Sequence, residues 1–176
     1  QLLKIDLTGV QANVNDYKLY AGGLYVLSSE ANQIYRFGLK GDTFSSPTSW
    51  LKEAVDLKNT NSLTIDGTIY VLKADGNILK LYRNKKQDLS VSIVVPAFTS
   101  ANRLITSAKY FYVFELSSKR LAIFNKVASP NLKAGQFLAQ FDLTAFEALK
   151  DIEINEGTKE AYVLNDTSVY KIKLNY

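Results

Sequence analysis

The sequence lacks cysteine, histidine and methionine altogether, and each absence excludes a class of chemistry. Without cysteine, the chain has no disulfide bond, no thiolate metal site and no cysteine nucleophile. Without histidine, it has no Ser-His-Asp triad, no histidine general base and no imidazole metal ligand. The lack of both sulfur-containing residues suits an oxidising compartment outside the cytoplasm, although a biased genome composition would have the same result.

The missing methionine means that the chain does not start at its own initiator. We therefore expect a processed protein or a piece of a longer one, with any targeting segment upstream. No apolar run approaches the roughly 18–20 residues that span a bilayer, and no signal peptide is visible. Of the 176 residues, 47% are apolar and only 3 are proline, which is the composition of a folded globular domain with a sizeable core.

The net charge of +4 comes from 21 basic and 17 acidic residues spread along the whole length. The densest basic run, Arg83, Lys85 and Lys86, lies in a predicted hairpin or loop. One interpretation is a contact with an anionic partner such as nucleic acid, phospholipid or acidic polysaccharide. The other is a solvated turn that keeps a sheet edge from pairing with neighbours. No basic and aromatic stripe typical of a nucleic-acid surface accompanies the run.

An aromatic-aliphatic triplet recurs four times, with spacings of 45, 42 and 50 residues. The four copies are Tyr25-Val26-Leu27, Tyr70-Val71-Leu72, Tyr112-Val113-Phe114 and Tyr162-Val163-Leu164. A short apolar strand precedes each triplet, and a polar turn and a returning apolar strand follow it. A period of about 40–50 residues with about four strands per unit is typical of β-propeller blades.

The sequence therefore predicts an all-β fold, a β-propeller of four blades with four antiparallel strands each. We expect one domain over residues 1–176, with repeat units at approximately 1–48, 49–90, 91–135 and 136–176. Leu2 to Leu7 is predicted to be the outer strand of the last blade, which would seal a closed four-bladed ring without an unpaired edge. The alternative is that the four blades form half of a larger propeller.

Two irregular connections depart from the compact repeat, Lys40 to Trp50 and Lys126 to Gly135. Such insertions cluster on the faces of propellers, where ligands commonly bind. Trp50 is the only tryptophan, and it is either a stacking platform for a sugar or a protein, or a wedge packed between blades. The tyrosines of the triplets are expected to pack between blades, because they recur at one structural position.

Carboxylates are the remaining candidates for catalysis or metal binding. Asp6, Asp56 and Asp142 recur at equivalent positions of three units, and one interpretation is that they converge on a hard cation such as Ca²⁺. Aspartate at the end of a strand also forms turns by accepting hydrogen bonds from nearby backbone amides. The third unit has Pro96 or Ala97 at the equivalent place, which favours the turn.

The stretch from Leu24-Tyr25-Val26-Leu27 to Asn32-Gln33-Ile34-Tyr35-Arg36-Phe37 resembles propeller repeats of the NHL, YVTN and lactonase-like kind. Leu149–Ile154, Glu160–Leu164 and Val169–Ile172 together resemble a terminal blade of that superfamily. More loosely, the chain is similar to propeller regions at the C-terminal end of bacterial membrane-anchored proteins, some with a metal-dependent phosphatase domain upstream. The resemblance implies a fold and no particular activity. Lactonases of the superfamily hold a central metal with carboxylate and asparagine ligands, and no such position carries over to this chain.

We therefore expect a non-catalytic binding or scaffolding module of a larger, extracytoplasmic protein at the cell surface or in the periplasm. Its face loops would recognise a protein, a peptide or a glycan, without a cofactor. The alternative is a lactonase-like or other hydrolase with a cation in a central channel. A third interpretation is a structural cell-surface module that associates with itself.

Overall fold

The structure of the chain, a computed structural model, describes residues 5–176. Within this range the regular secondary structure consists of β-strands alone, and the strands form four antiparallel sheets. The four sheets have the β-propeller arrangement of four blades that the repeated triplet predicts.

The first blade contains strands β1 to β5, in the spatial order β1-β2-β3-β4 with β5 also paired to β3. Their bounds are β1 Asp16–Tyr20, β2 Gly23–Ser28, β3 Gln33–Lys40, β4 Thr43–Phe44 and β5 Thr48–Ser49. The second blade has the order β6-β7-β8-β9. Its bounds are β6 Thr60–Ile65, β7 Ile69–Lys73, β8 Ile78–Tyr82 and β9 Lys85–Gln87.

The third blade has the order β10-β11-β12-β13, and the fourth has β14-β15-β16. The bounds of the third are β10 Arg103–Thr106, β11 Tyr110–Glu115, β12 Arg120–Asn125 and β13 Phe137–Asp142. Those of the fourth are β14 Asp151–Asn155, β15 Glu160–Leu164 and β16 Val169–Lys173. Each triplet lies in the second strand of its blade.

The last blade has three strands among the described residues, where four were expected. Part of the predicted outer strand, Leu2 to Leu7, lies outside the described residues. Its described part, Ile5–Leu7, is not in a strand, and Ile5 packs against the core cluster of the first blade. The expected pairing of this segment with the last blade therefore does not occur between Ile5 and Leu7.

The chain divides into two compact units. The first comprises the chain up to Lys73 together with Leu79–Asp88, and it holds the first blade and most of the second. The second comprises Ala74–Ile78 and Leu89–Tyr176, and it holds the third and fourth blades. A single domain over residues 1–176 stays a prediction.

Alternation along the triplet strand gives each blade two apolar faces. We call the face that carries the first and third triplet residues the Tyr face, and the face that carries the middle valine the Val face. In the first unit, Leu27 and Ile34 on the Tyr face of blade 1 share one buried cluster with Leu63 and Val71 on the Val face of blade 2.

The second unit repeats this packing. Phe114 and Leu121 on the Tyr face of blade 3 share a buried cluster with Ile152 and Val163 on the Val face of blade 4. In both units, therefore, the Tyr face of one blade covers the Val face of the next. The middle valines of all four triplets are buried.

Polar side chains connect strands at their ends in a second repeated pattern. The side-chain carbonyl of Asn15 accepts a hydrogen bond of 2.8 Å from the amide of Ser29, just after the triplet strand of blade 1. Asn102 accepts one of 2.9 Å from the amide of Leu116 at the same place in blade 3. These bonds satisfy backbone donors where the ladder stops.

Valine 113 allows a direct test of the core. Val113→Ala removes two buried methyl groups, so we expect the free energy of unfolding to fall by about 2 kcal/mol. Val127→Ala is the matched control, because Val127 is exposed in a loop of the same unit, and it should change stability by less than about 0.5 kcal/mol. Urea unfolding followed by circular dichroism measures both, and equal losses would contradict the proposed core.

Candidate functional site

The basic run lies where the sequence places it, in a hairpin. Arg83 and Asn84 form the two-residue turn between β8 and β9, with φ values of 50° and 68° as a type I′ turn requires. The Arg83 guanidinium lies 5.3 Å from the centre of the Tyr82 ring. Lys85 and Lys86 are exposed on β9, the last strand of its sheet. Their position is the one expected of a charged edge, and binding of a ligand by this run stays a prediction.

Trp50 is half-buried and packs against the cluster shared by blades 1 and 2. Its amide donates a hydrogen bond of 2.7 Å to the carbonyl of Ile34, and its carbonyl accepts one from the side chain of Asn84. These contacts agree with the packing interpretation of Trp50. A role in stacking on a ligand stays a prediction.

The three recurrent aspartates form local turns. The carboxylates of Asp6, Asp56 and Asp142 each accept a hydrogen bond of 2.8–3.1 Å from the backbone amide two residues later. Asp56 also pairs with Lys73 at 2.9 Å, and this bond lowers the pKa of Asp56. Among residues 5–176, no three acidic side chains approach closely enough to share a metal ion. The turn geometry explains the repetition, and cation binding by these residues stays a prediction.

A cavity of about 420 Å³ lies within the predicted face loop Lys40 to Trp50, and we call it the loop pocket. Its lining includes Asp6, Thr8, Asp42, Phe44, Ser45 and Pro47. This volume is within the usual range of small-molecule sites, roughly 300–1,000 Å³. The loop is folded rather than irregular, because β4 and β5 both pair with β3.

Two contacts hold the walls of the loop pocket. Ser45 fixes the loop to β3: its amide donates 2.8 Å to the Gly38 carbonyl, and its hydroxyl accepts 3.0 Å from the Gly38 amide. On the opposite wall, Gly9 has a φ of 95°, and a Cβ built there would lie 3.2 Å from the Cγ of Pro47. Glycine at position 9 therefore allows the segment that carries Asp6 and Thr8 to approach the loop.

The loop pocket combines acidic, hydroxylated and apolar groups. Asp6 and Asp42 supply carboxylate acceptors, the serine and threonine side chains supply hydroxyl groups, and Phe44 supplies a half-buried aromatic ring. None of the described lining residues is basic. An anionic ligand is therefore disfavoured. The hydroxyl groups of Thr8, Thr43 and Ser45 already donate to Asp6, to the Lys40 carbonyl and to the Ser46 carbonyl. The loop pocket therefore offers mainly acceptor oxygens, which suit an uncharged ligand with many hydroxyl groups.

A second polar site, which sequence reasoning missed, lies in the second unit. Glu115 and Arg120 are directly opposite each other on β11 and β12, both are buried, and they form an ion pair of 2.8 Å. The Glu115 carboxylate also accepts hydrogen bonds of 2.8 and 2.7 Å from the amides of Thr99 and Ser100. The only signal in the sequence is the position of two opposite charges at either side of the third turn.

Arg120 completes this cluster and lines a cavity of about 330 Å³. Its guanidinium donates to the carbonyls of Pro96 and Ala97 and lies 4.3 Å from the centre of the Phe98 ring. The buried Nε has no hydrogen-bond partner among the described residues. Together, Glu115 and Arg120 anchor a loop segment that has no strand of its own.

No protein-family model matches the sequence, and no curated protein matches it. Similar solved structures exist at low identity. The computationally designed protein Ika4 is 13% identical with a TM-score of 0.66, and the match covers 99% of each chain. A candidate 6-phosphogluconolactonase from Bacteroides uniformis is 17% identical with a TM-score of 0.65. PorZ, a surface component of the type-IX secretion system of Porphyromonas gingivalis, is 15% identical with a TM-score of 0.53.

The matches to the two bacterial proteins cover most of this chain but only part of theirs. They include 99% of this chain and 56% of the lactonase candidate, and 92% of this chain and 20% of PorZ. At such identities the likeness shows the fold alone. No helix long and apolar enough to cross a membrane is found in residues 5–176.

The ion pair makes stability depend on acid pH. Burial alone would raise the pKa of Glu115, but hydrogen bonds from Ser118, Ser100, Thr99 and Arg120 outweigh it and lower the pKa to about 2. Because the unfolded value is about 4.3, the ionised group stabilises the fold above that pH, and this contribution of about 3 kcal/mol is lost as the pH falls toward 2.

We expect Glu115→Gln to lower the free energy of unfolding at pH 7 and to flatten its decline between about pH 4.3 and 2. Glu147→Gln, at an exposed glutamate of the same unit, is the control and should leave the pH profile unchanged. Urea unfolding at a series of pH values measures the three proteins. Parallel profiles for the wild type and Glu115→Gln would contradict the assigned role of Glu115.

Gly9, which lies against Pro47 at the wall of the loop pocket, allows a further test. Gly9→Ala places a Cβ against Pro47 at positive φ, so we expect the backbone amides of the loop pocket to shift in NMR spectra. Gly22→Ala is the matched control: its φ is 71°, but nothing lies within 4 Å of the added carbon. Both variants should lose about 1 kcal/mol of stability through backbone strain. Unchanged loop-pocket shifts in Gly9→Ala would refute the close approach.

Proposed function

We propose that the chain is a non-catalytic binding module that recognises an uncharged, polyhydroxylated ligand, such as a neutral glycan, at the loop pocket. The observation that carries this proposal is the lining of the loop pocket, where two carboxylates, several hydroxyl groups and the Phe44 ring face one cavity. Hydroxyl groups of a sugar donate to carboxylates and to the oxygens of serine and threonine, while the apolar face of a sugar packs on an aromatic ring.

The remaining chemistry supports binding rather than turnover. The sequence contains no histidine or cysteine that could act as a base or nucleophile. The recurrent aspartates are engaged in their own turns, which leaves a central cation without an evident set of ligands among the described residues. Blades of the NHL, YVTN or lactonase-like kind support many activities, so the site and not the fold supports this proposal.

We place the module in an extracytoplasmic protein of bacterial origin. The absence of cysteine and methionine favours an oxidising compartment. The likeness of the chain to PorZ, which is a bacterial surface component, is compatible with that location.

Asp42 offers the test of the loop pocket. Titration calorimetry with a panel of neutral oligosaccharides should find one that binds, and Asp42→Asn should weaken its binding by about tenfold or more, because a hydrogen bond to a charged acceptor is lost. Asp88→Asn, at an exposed aspartate of the same unit, should bind as the wild type does.

Three results would overturn the proposal. Binding of acidic but not of neutral saccharides would contradict the electrostatics of the loop pocket. Binding of a basic peptide alone would replace the glycan with a protein ligand. Hydrolysis of a lactone that depends on added Ca²⁺ would favour the enzyme that the sequence leaves as the alternative.

A further inference from the structure

The two terminal blades each expose the face that internal blades bury. On the Tyr face of the last blade, Tyr162 is 37% exposed, Leu164 is 40% exposed and Val169 is 64% exposed. The equivalent triplet residues are buried in blades 2 and 3, where Tyr70 and Phe114 are 6% and 1% exposed. No other blade of the second unit covers this face.

The first blade exposes the opposite face, the Val face. On its Val face, the β1 residues Tyr17 and Leu19 are 61% and 69% exposed. The residues equivalent to Tyr17 lie opposite the middle valine in the other three blades, and they are at most 3% exposed. These equivalents are Leu63, Leu104 and Ile152.

The exposed part of the Val face is shaped to receive side chains. A cavity of about 200 Å³ lies next to Leu19, and Leu39 and Phe44 contribute to its lining. The other side of the first blade's Val face is already covered, because Ile5 and Val10 pack against its buried cluster. The apolar surface of the Val face that has no cover therefore lies chiefly on β1.

We propose that the chain forms a homodimer, in which the Tyr face of the last blade of each copy packs against the exposed Val face of the first blade of the other. The pairing of a Tyr face with a Val face is the one that the chain already makes within each unit. One copy carries both unmatched faces, so each copy supplies the face that the other lacks, and the two contacts of the proposed dimer are identical.

Charge does not oppose this contact. The charged side chains on the Tyr face of the last blade have partners within their own unit. Lys171 lies 3.5 Å from Glu160, and Arg103 pairs with Asp151 at 2.9 Å and with Glu153. Lys173 donates a hydrogen bond of 2.6 Å to the carbonyl of Thr158. The fold also accommodates about twice as many residues, because the chain matches 56% of the lactonase candidate. Two copies supply that number of residues.

The oligomeric state of the full chain tests the proposal. Light scattering coupled to size-exclusion chromatography should give about twice the chain mass of 19.7 kDa. Leu164→Arg and Tyr17→Arg each place a charge in both interfaces of the dimer, so each should raise its dissociation constant by about a hundredfold. Val127→Arg, at an exposed apolar residue outside both faces, is the control and should remain dimeric.

Mixing the two variants distinguishes this dimer from other arrangements. A Leu164→Arg copy keeps its Val face and a Tyr17→Arg copy keeps its Tyr face, so a mixture should recover dimers through one intact interface. Circular dichroism of each variant should match that of the wild type, because both residues are exposed.

The proposal is overturned if the wild type is monomeric throughout a dilution series, or if Leu164→Arg remains as dimeric as the control. It is also overturned if Tyr17→Arg alone keeps the dimer, since that result indicates contact between two last blades.

Discussion

The opposite orientation of adjacent residues in the triplet strand is the constraint on which the rest of this structure depends. A valine that faces one side of a sheet is flanked by an aromatic and an aliphatic residue that face the other, so both sides require an apolar cover. In each unit the cover comes from the neighbouring blade: Phe114 packs in one cluster with Val163, and Leu27 packs in one cluster with Val71. Where a face is covered in this way, polar chemistry is left to strand ends, turns and connecting loops.

Both polar sites follow from that confinement. The loop pocket forms where the connection after β3 folds back and meets the segment around Gly9, outside the apolar clusters. Glu115 and Arg120 lie at the end of a hairpin, where two strands still face each other but the apolar packing has stopped. The cost of burying the two charges is offset there, because backbone amides and carbonyls of the segment 96–100 complete their hydrogen bonds. The ion pair thus holds a loop that the strands do not hold.

How much of this could be predicted from the sequence depends on how local each feature is. The four sheets follow from the triplets, since the alternation and its turns are local properties. The turns at Asp6, Asp56 and Asp142 are equally local, because each carboxylate reaches an amide only two residues away. The approach of Gly9 to Pro47 and the anchoring of Thr99 by Glu115 join distant segments, and no periodic pattern encodes such contacts. The uncovered position of Tyr162 was also missed, because a repeated residue type was expected to have a repeated environment.

The residues exposed on the first and last blades differ from those that usually occupy an exposed strand. At an exposed strand position, threonine or lysine would give a soluble surface and would discourage edge contacts, as Lys85 and Lys86 do on β9. Tyr162, Leu164 and Val169 instead form an apolar patch on one face of the last blade, and Tyr17 with Leu19 does so on the first. Apolar surface of this kind is costly in water unless a partner removes it. The first and last blades therefore keep the apolar pattern of the other two blades on faces that this chain leaves exposed, and it is this pattern that the proposed dimer uses.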